Sequence, residues 1–235
     1  MLMQVRLGFM KGLLFDLDGT LVNTLEDIRC ALNHVLELCY ARPIDSDECK
    51  SVVGHGLRKA LIDALWLSRS AFPEDELDIL YKELISYYSG HVCIHSAVYD
   101  GMTDFLEEAR GRGFVLGVLS NKQDALAREI ISRLFAPDLF SFVAGLRENS
   151  RPKPDNPAVF DFIKLCNADA SDVTIIGDSE VDWQTACRAG TDSIIVTYGY
   201  RKREDLEKAG ITRLADSIAE VRKLLSTTCS TRLWT

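Results

Sequence analysis

The chain has no Cys-x-x-Cys pair, although it carries seven cysteines (Cys30, Cys39, Cys49, Cys93, Cys166, Cys187 and Cys229). An odd, unpatterned set of this kind argues against a disulfide framework or a zinc knuckle, so a reducing cytoplasm is the expected compartment. No apolar run approaches the ~20 residues that cross a bilayer, and no membrane partner is expected. Basic residues are in the minority: 27 Lys and Arg face 35 Asp and Glu, a formal net charge of -8. Affinity for nucleic acid rests on cations that neutralise phosphates, so no nucleic-acid partner is expected either. A single basic pocket for one small anion remains compatible with that total. The segment Met1–Lys11 lacks the apolar stretch and cleavage site of a signal peptide, and Met10 is an alternative start. There is no internal repeat and no low-complexity tract. The polar tail Ser226-Thr227-Thr228-Cys229-Ser230-Thr231 is expected to fray.

What is present is ordinary in bulk and specific in detail. A chain of 235 residues with 47% hydrophobic content suits one large domain, or a core domain with a smaller insert. The apolar run Gly12-Leu13-Leu14-Phe15 predicts a short buried strand. It leads directly into Asp16-Leu17-Asp18-Gly19-Thr20-Leu21-Val22. Side chains two apart on a strand point the same way, so Asp16 and Asp18 are expected to face one cavity. Two carboxylates that close are costly unless a cation sits between them or one keeps its proton. Either remedy suggests chemistry.

Beyond Val22 the pattern becomes helical. Asn23 or Thr24 can cap a helix whose first turn carries Glu26 and Asp27, favourable to the helix dipole. Leu25, Ile28, Leu32, Val35, Leu36 and Cys39 recur at helical spacing, and Pro43 ends the element. A second helix is expected near Leu57, Ala60, Leu61, Ala64 and Leu65. A third opens at Pro73 and Glu74 and carries Leu77, Leu80, Tyr81, Leu84, Ile85 and Tyr88. No strand is predicted between 24 and about 90.

Past Ser89-Gly90, strands and helices alternate. A helix through Met102, Phe105, Leu106 and Ala109 stops at Gly111 and Gly113. A strand from Phe114 to Leu119 ends in Ser120-Asn121, and a helix through Leu126, Ile130 and Leu134 follows. Phe142 to Ala144 is a short strand, and Pro154 and Pro157 flank a loop leading into a helix at Phe160 and Ile163. Val173 to Gly177 is another strand, ending in Asp178. A short helix reaches Ala189-Gly190, a strand covers Ser193 to Thr197, and Ser217 with Glu220 resembles a capping box for a last helix.

Short apolar strands alternating with helices indicate an α/β fold, a Rossmann-like three-layer core around a parallel sheet. Ligands of such sheets sit beyond the carboxyl ends of the strands. Asp16, Ser120 and Asp178 each fall just past a predicted strand end, so all three converge on one edge. The inserted helices should hang over that edge. The expected division is a core of residues 1–22 and 93–235, with an α-helical cap of residues 23–92.

Four stretches carry a resemblance: Asp16-Leu17-Asp18-Gly19-Thr20, Ser120-Asn121, Lys153 in Arg151-Pro152-Lys153-Pro154, and Gly177-Asp178-Ser179-Glu180-Val181-Asp182. In this order they resemble the motifs of the haloacid-dehalogenase superfamily. Tyr99-Asp100-Gly101, Ser120-Asn121-Lys122, and Ala186-Cys187-Arg188-Ala189-Gly190 leading to Tyr198-Gly199-Tyr200 are similar to its phosphoglycolate-phosphatase-like branch.

The resemblance implies a Mg2+-dependent phosphatase acting on a small phosphorylated metabolite. Asp16 would be the nucleophile and form an aspartyl-phosphate. Asp18 would protonate the leaving oxygen and then activate water. Asp16, the Asp18 carbonyl, Asp178 and, through water, Asp182 would hold the magnesium. Gly19, Thr20, Ser120 and Asn121 would cradle the phosphate, with Lys153 offsetting its charge. In the cap, Arg58 or His55, in Gly54-His55-Gly56-Leu57-Arg58, would meet the leaving group. The chain is expected as a monomer or homodimer.

Other activities on the same scaffold are a phosphosugar mutase of the β-phosphoglucomutase kind, a pyrophosphatase or nucleotidase, and carbon–halogen hydrolysis. Mutases of the family usually place valine where this chain has Thr20, and dehalogenases lack the acid at Asp18. A non-enzymatic binding protein is disfavoured because no motif residue has been lost. The alternation His91-x-Cys93-x-His95 would align three metal-binding groups if extended, but its place where the cap returns to the core reads better as a hinge.

Overall fold

The computed structural model describes residues 11–68 and 76–228. Met10, the start of the third cap helix at Pro73 and Glu74, and the tail from Cys229 lie outside the described residues. The centre of the protein is a six-stranded parallel sheet in the order β5-β4-β1-β6-β7-β8. Its strands are β1 (Gly12–Phe15), β4 (Val115–Gln123), β5 (Phe142–Leu146), β6 (Val173–Gly177), β7 (Asp192–Val196) and β8 (Leu214–Ala215). β1 is the keystone, pairing with β4 through Phe15↔Val118 and with β6 through Phe15↔Ile176.

Strand alternation divides the core between the two faces of the sheet. Leu13 and Phe15 join the larger cluster with Phe105 of α5 (Met102–Gly111), Ile130 of α6 (Asp124–Leu134) and Val221 of α10 (Ile218–Thr228). Leu14 belongs to a separate cluster with Phe162 of α7 (Ala158–Leu165) and Ala186 of α8 (Glu180–Ala189). These are the three layers expected of an α/β core.

Among the described residues four helices intervene between β1 and the remainder of the sheet: α1 (Leu25–Leu38), α2 (Ser46–Val52), α3 (Leu57–Leu67) and α4 (Leu77–Gly90). α2 is too short to show a helical period in sequence, and its visible signal is the Asp45–Glu48 capping box. The chain leaves and re-enters the core through a two-stranded antiparallel ribbon of β2 (Val22–Asn23) and β3 (Ala97–Val98), with Val22 facing Val98. Sequence reading has no handle on strands of two residues. The buried Asp27 of α1 accepts from the His95 and Ser96 amides at 2.8 and 3.0 Å and from the Ser96 hydroxyl at 2.5 Å, clamping the returning chain.

That returning chain is a turn. Cys93 has φ +61°, so His91, Cys93 and His95 do not alternate on one side. His91 stacks on Tyr87 at 4.1 Å instead. Two further expectations are corrected in detail. β4 runs on to Gln123, because its register against β5 slips between Leu119 and Gln123; Ser120 and Asn121 therefore lie within the strand, at a bulge. Before α10, Ser217 Oγ accepts from the Glu220 amide at 3.3 Å, but Glu220 reaches back to the Asp216 amide, one residue earlier than a capping box requires. The helix α9 (Arg203–Lys208) and strand β8 were not predicted.

Candidate active site

The ends of β1, β4 and β6 bring together residues far apart in the chain. Asp16 follows β1, its amide donating to Ile176 O at 2.9 Å. Its Oδ1 accepts from the Leu17 amide at 2.7 Å and lies 2.8 Å from Lys153 Nζ. The same ammonium donates to Asp182 Oδ1 at 2.7 Å. The other Asp182 oxygen accepts from the Ser179 amide and hydroxyl at 3.2 and 2.6 Å. Asp182 is only 1% exposed, so it is a fully engaged buried acid. α8 comes close enough for this because Gly177 has no side chain: a Cβ there would collide with the Asp182 carboxylate.

Asp178 is buried after β6 and accepts from the Tyr200 amide at 2.7 Å. Gly19, at φ +82°, makes room for it; any Cβ would strike the Asp178 carboxylate. Asp16, Asp178 and Asp182 each offer an oxygen, all within 4.8 Å of one another.

The electrostatics follow from crowding. Burial raises the Asp16 carboxyl from its ordinary 3.8 to about 7; the Lys153 ammonium opposes the rise, and the Asp182 and Asp18 carboxylates reinforce it. Burial, and then the charges of Asp182 and Asp16, push Asp178 well above the ordinary carboxylate range. Burial works against the Lys153 ammonium, yet Asp16 and Asp182 outweigh it and hold its pKa above the lysine norm. Burial leads the rise of both carboxyls, and the surplus of negative charge adds to it and lifts the lysine as well. Three clustered carboxylates have one ammonium among them, paired to Asp16 and Asp182. An all-oxygen donor set with that surplus fits a hard divalent cation. Asp16 Oδ2 and Asp178 Oδ1 accept no hydrogen bond among the described residues.

Asp18 stands apart from this cluster. Its Oδ1 accepts from Thr24 Oγ1 at 2.5 Å and from Lys122 Nζ at 2.8 Å. Thr24 occupies the N-cap of α1 without capping it by its side chain. Its hydroxyl hydrogen goes to Asp18, so the 3.1 Å contact with Tyr200 Oη runs from tyrosine to threonine. Both gathered donors fall on one oxygen, leaving Asp18 Oδ2 for the cavity.

That cavity is lined by Asp16, Asp18, Ser120, Asn121, Lys122 and Asp178 from the core side, and by Val53, Gly54, Gly56, Leu57 and Ala60 opposite. Ser120 Oγ accepts from the Lys122 amide at 3.2 Å, which leaves its own hydrogen for a ligand. Asn121 is committed differently: its Oδ1 takes the Lys153 amide at 2.7 Å, and its Nδ2 reaches Gly54 O at 3.1 Å. It thus sets the Lys153 backbone and ties the 53–56 loop to the core.

Three expected contacts are corrected. The Gly19 amide donates to Val22 O at 2.9 Å and the Thr20 amide to Leu17 O at 3.4 Å, so the turn uses them itself. Gly19 and Thr20 shape the loop and do not line the cavity. Arg58 pairs with Asp78 at 2.6 Å, lies over the Tyr81 ring at 5.6 Å, and is likewise absent from the lining. The reason is helical phase: α3 buries Leu57, Ala60, Leu61 and Ala64, and position 58 falls on the outer face. Lys122, Thr24, Tyr200 and Arg201 were missed as site residues. For Lys122 a signal existed, since it belongs to the Ser120-Asn121-Lys122 stretch that carries the resemblance.

Residues 13–196 match the haloacid dehalogenase-like hydrolase family. The phosphoglycolate phosphatase of Colwellia psychrerythraea is 33% identical over 214 residues, covering 89% of this chain and 94% of the relative. That of Chromobacterium violaceum is 30% identical, covering 94% and 99%. Among solved structures, a Lactobacillus delbrueckii protein named by inference as a phosphoglycolate phosphatase superposes with TM-score 0.85 at 26% identity, over 95% of this chain and 100% of that one.

Proposed function

The chain belongs to the haloacid dehalogenase-like hydrolase family, and on that premise we propose that it is a phosphoric monoester hydrolase acting on phosphoglycolate. The observation that carries this reading is the trio of Asp16, Asp178 and Asp182, the last two buried, with one lysine pairing Asp16 to Asp182, at the strand ends where such sheets bind ligands. The named activity of the relatives supports the choice of substrate.

In this reading Asp16 attacks phosphorus and becomes an aspartyl-phosphate, while the ester oxygen departs with a proton from Asp18 Oδ2. Asp18 then takes a proton from water, which attacks the acyl phosphate and restores Asp16. Thr24 and Lys122 hold Asp18 at Oδ1 throughout. The Ser120 hydroxyl faces the phosphoryl oxygens, and Lys153 offsets charge from behind Asp16, which it holds at 2.8 Å. Asp16 and Asp178, with Asp182 behind, are the residues that would hold Mg2+, which when bound supplies positive charge to the phosphoryl group. Residues 23–92 act as the cap of a core formed by 1–22 and 93–235, hinged at the β2–β3 ribbon. Among the described residues no helix is long and apolar enough to cross a membrane; the enzyme works in the cytoplasm as a monomer or homodimer.

The test is phosphate release with Mg2+ from phosphoglycolate, sugar phosphates, nucleotides and pyrophosphate. Sustained release, greatest from phosphoglycolate, is expected. Isomerisation of a sugar phosphate without net release would overturn the reading in favour of a mutase.

A further inference from the structure

Lys122 is an ammonium in an unusual position. It is 3% exposed, yet it lines the cavity beside Asp18. Among the described residues its one hydrogen-bond acceptor is Asp18 Oδ1, at 2.8 Å, and the Tyr88 ring of α4 covers another side at 4.8 Å. An ammonium has three N–H donors. A buried lysine with donors left over is costly unless something completes its shell.

The other cations near the cavity are already engaged. Lys153 lies between Asp16 and Asp182. Arg201 donates to the Lys50 and Val53 carbonyls at 2.7 Å each and pairs with Glu180 at 3.5 Å. Arg58 is turned to Asp78. The same cavity is lined by Ile28, Val53, Leu57 and Ala60, whose side chains offer no hydrogen bonds. Hydroxyls of a sugar placed there would lose water without replacement. A short leaving group with one negative end would lose nothing at Lys122.

We infer that Lys122 is the specificity-determining cation of the site, reading a carboxylate carried on the leaving group beside the ester oxygen. The inference rests on the phosphatase reading and gives a physical reason for its substrate, assigning to one residue the recognition of phosphate esters of short 2-hydroxy acids. In such esters a single carbon separates the ester oxygen from the carboxylate. A leaving oxygen at Asp18 therefore brings the carboxylate within reach of Lys122, the immediate neighbour of Asp18. The lid contributes shape and dryness on this side, and the charge comes from β4 of the core.

The test compares phosphoglycolate with ethyl phosphate, its counterpart without the carboxylate, in the full-length wild type and in Lys122→Met and Lys122→Arg. In Lys122→Met, KM for phosphoglycolate should rise about ten- to a hundredfold more than KM for ethyl phosphate, the range set by losing one charged hydrogen bond. Lys122→Arg should recover part of that ratio. Equal changes for the two esters would overturn the inference and leave Lys122 as an orienting group for Asp18. Glycolate inhibition of the wild type is a second measurement that needs no variant. Competitive inhibition by glycolate but not by ethanol supports the inference. Equal insensitivity to both, with ethyl phosphate hydrolysed as well as phosphoglycolate, refutes it while the phosphatase reading survives. If the wild type hydrolyses no ester, both fail together.

Discussion

The ammonium of Lys153 lies 2.7 Å from Asp182, the two residues being only 4% and 1% exposed. The same nitrogen holds Asp16 at 2.8 Å. Lys153 therefore has a structural part of its own. It is the counter-charge that makes the closely packed acids tolerable.

Lys153→Met should accordingly cost stability as well as activity. Removing one partner of a buried pair typically destabilises by about 3–5 kcal/mol, because a charge is left uncompensated. Urea titration of wild type and variant checks this. An unchanged midpoint would show that Asp182 is satisfied without the lysine.

Stability without a divalent cation should fall as pH rises from about 4 to about 7. The Asp16 carboxyl has a folded-state value raised from 3.8 to about 7. Between those values the folded protein binds more protons than the unfolded chain, so the slope of unfolding free energy with pH is negative. Mg2+ should flatten that slope and raise the melting temperature by mass action. Melting curves across this range with EDTA and with excess Mg2+ decide the matter, and identical profiles would count against a cation at these acids.

Asp16→Asn should abolish turnover, a loss of at least about a thousandfold, because the proposed mechanism loses its attacking carboxylate. Melting temperature should stay level or rise, since one crowded negative charge is removed. Single-turnover quench of the wild type should trap an acid-stable, base-labile phosphoenzyme that this variant lacks. Residual activity of a tenth or more would remove Asp16 from the nucleophile's role.

The Asp27 clamp predicts an effect at a distance from the chemistry. Asp27→Ala leaves the His95 and Ser96 amides without their acceptor, which should destabilise the protein by about 1–3 kcal/mol. Hydrogen exchange should speed up at residues 95–98 in particular. Uniform acceleration over the whole chain would mean that the clamp is not local.

How far the sequence reached can be judged residue by residue. Asp16, Ser120 and Asp178 were placed at one sheet edge from strand ends alone, because an apolar run followed by a polar residue is a local pattern with a fixed geometric meaning. Lys153 stands in a motif by resemblance, and its ammonium lies 2.8 Å from Asp16 and 2.7 Å from Asp182. Arg58 was misplaced because a glycine-flanked helix start says where a helix begins but not which way each position faces. Gly19 and Thr20 looked like phosphate-binding amides, and only the hydrogen bonds to Val22 and Leu17 reveal that the turn consumes them.

By itself the amino-acid order determined the alternating α/β core, the interposed helices and the set of acids, since these follow from period, turn residues and strand termini. Tertiary structure decided the partnerships. Asp18 and Lys122 are 104 positions apart and meet at 2.8 Å; Asn121 and Gly54 are 67 apart and join the cavity's two walls. Periodicity reports the direction of a side chain within its own element. Which two elements face each other, and at what depth, is set by packing of the whole chain.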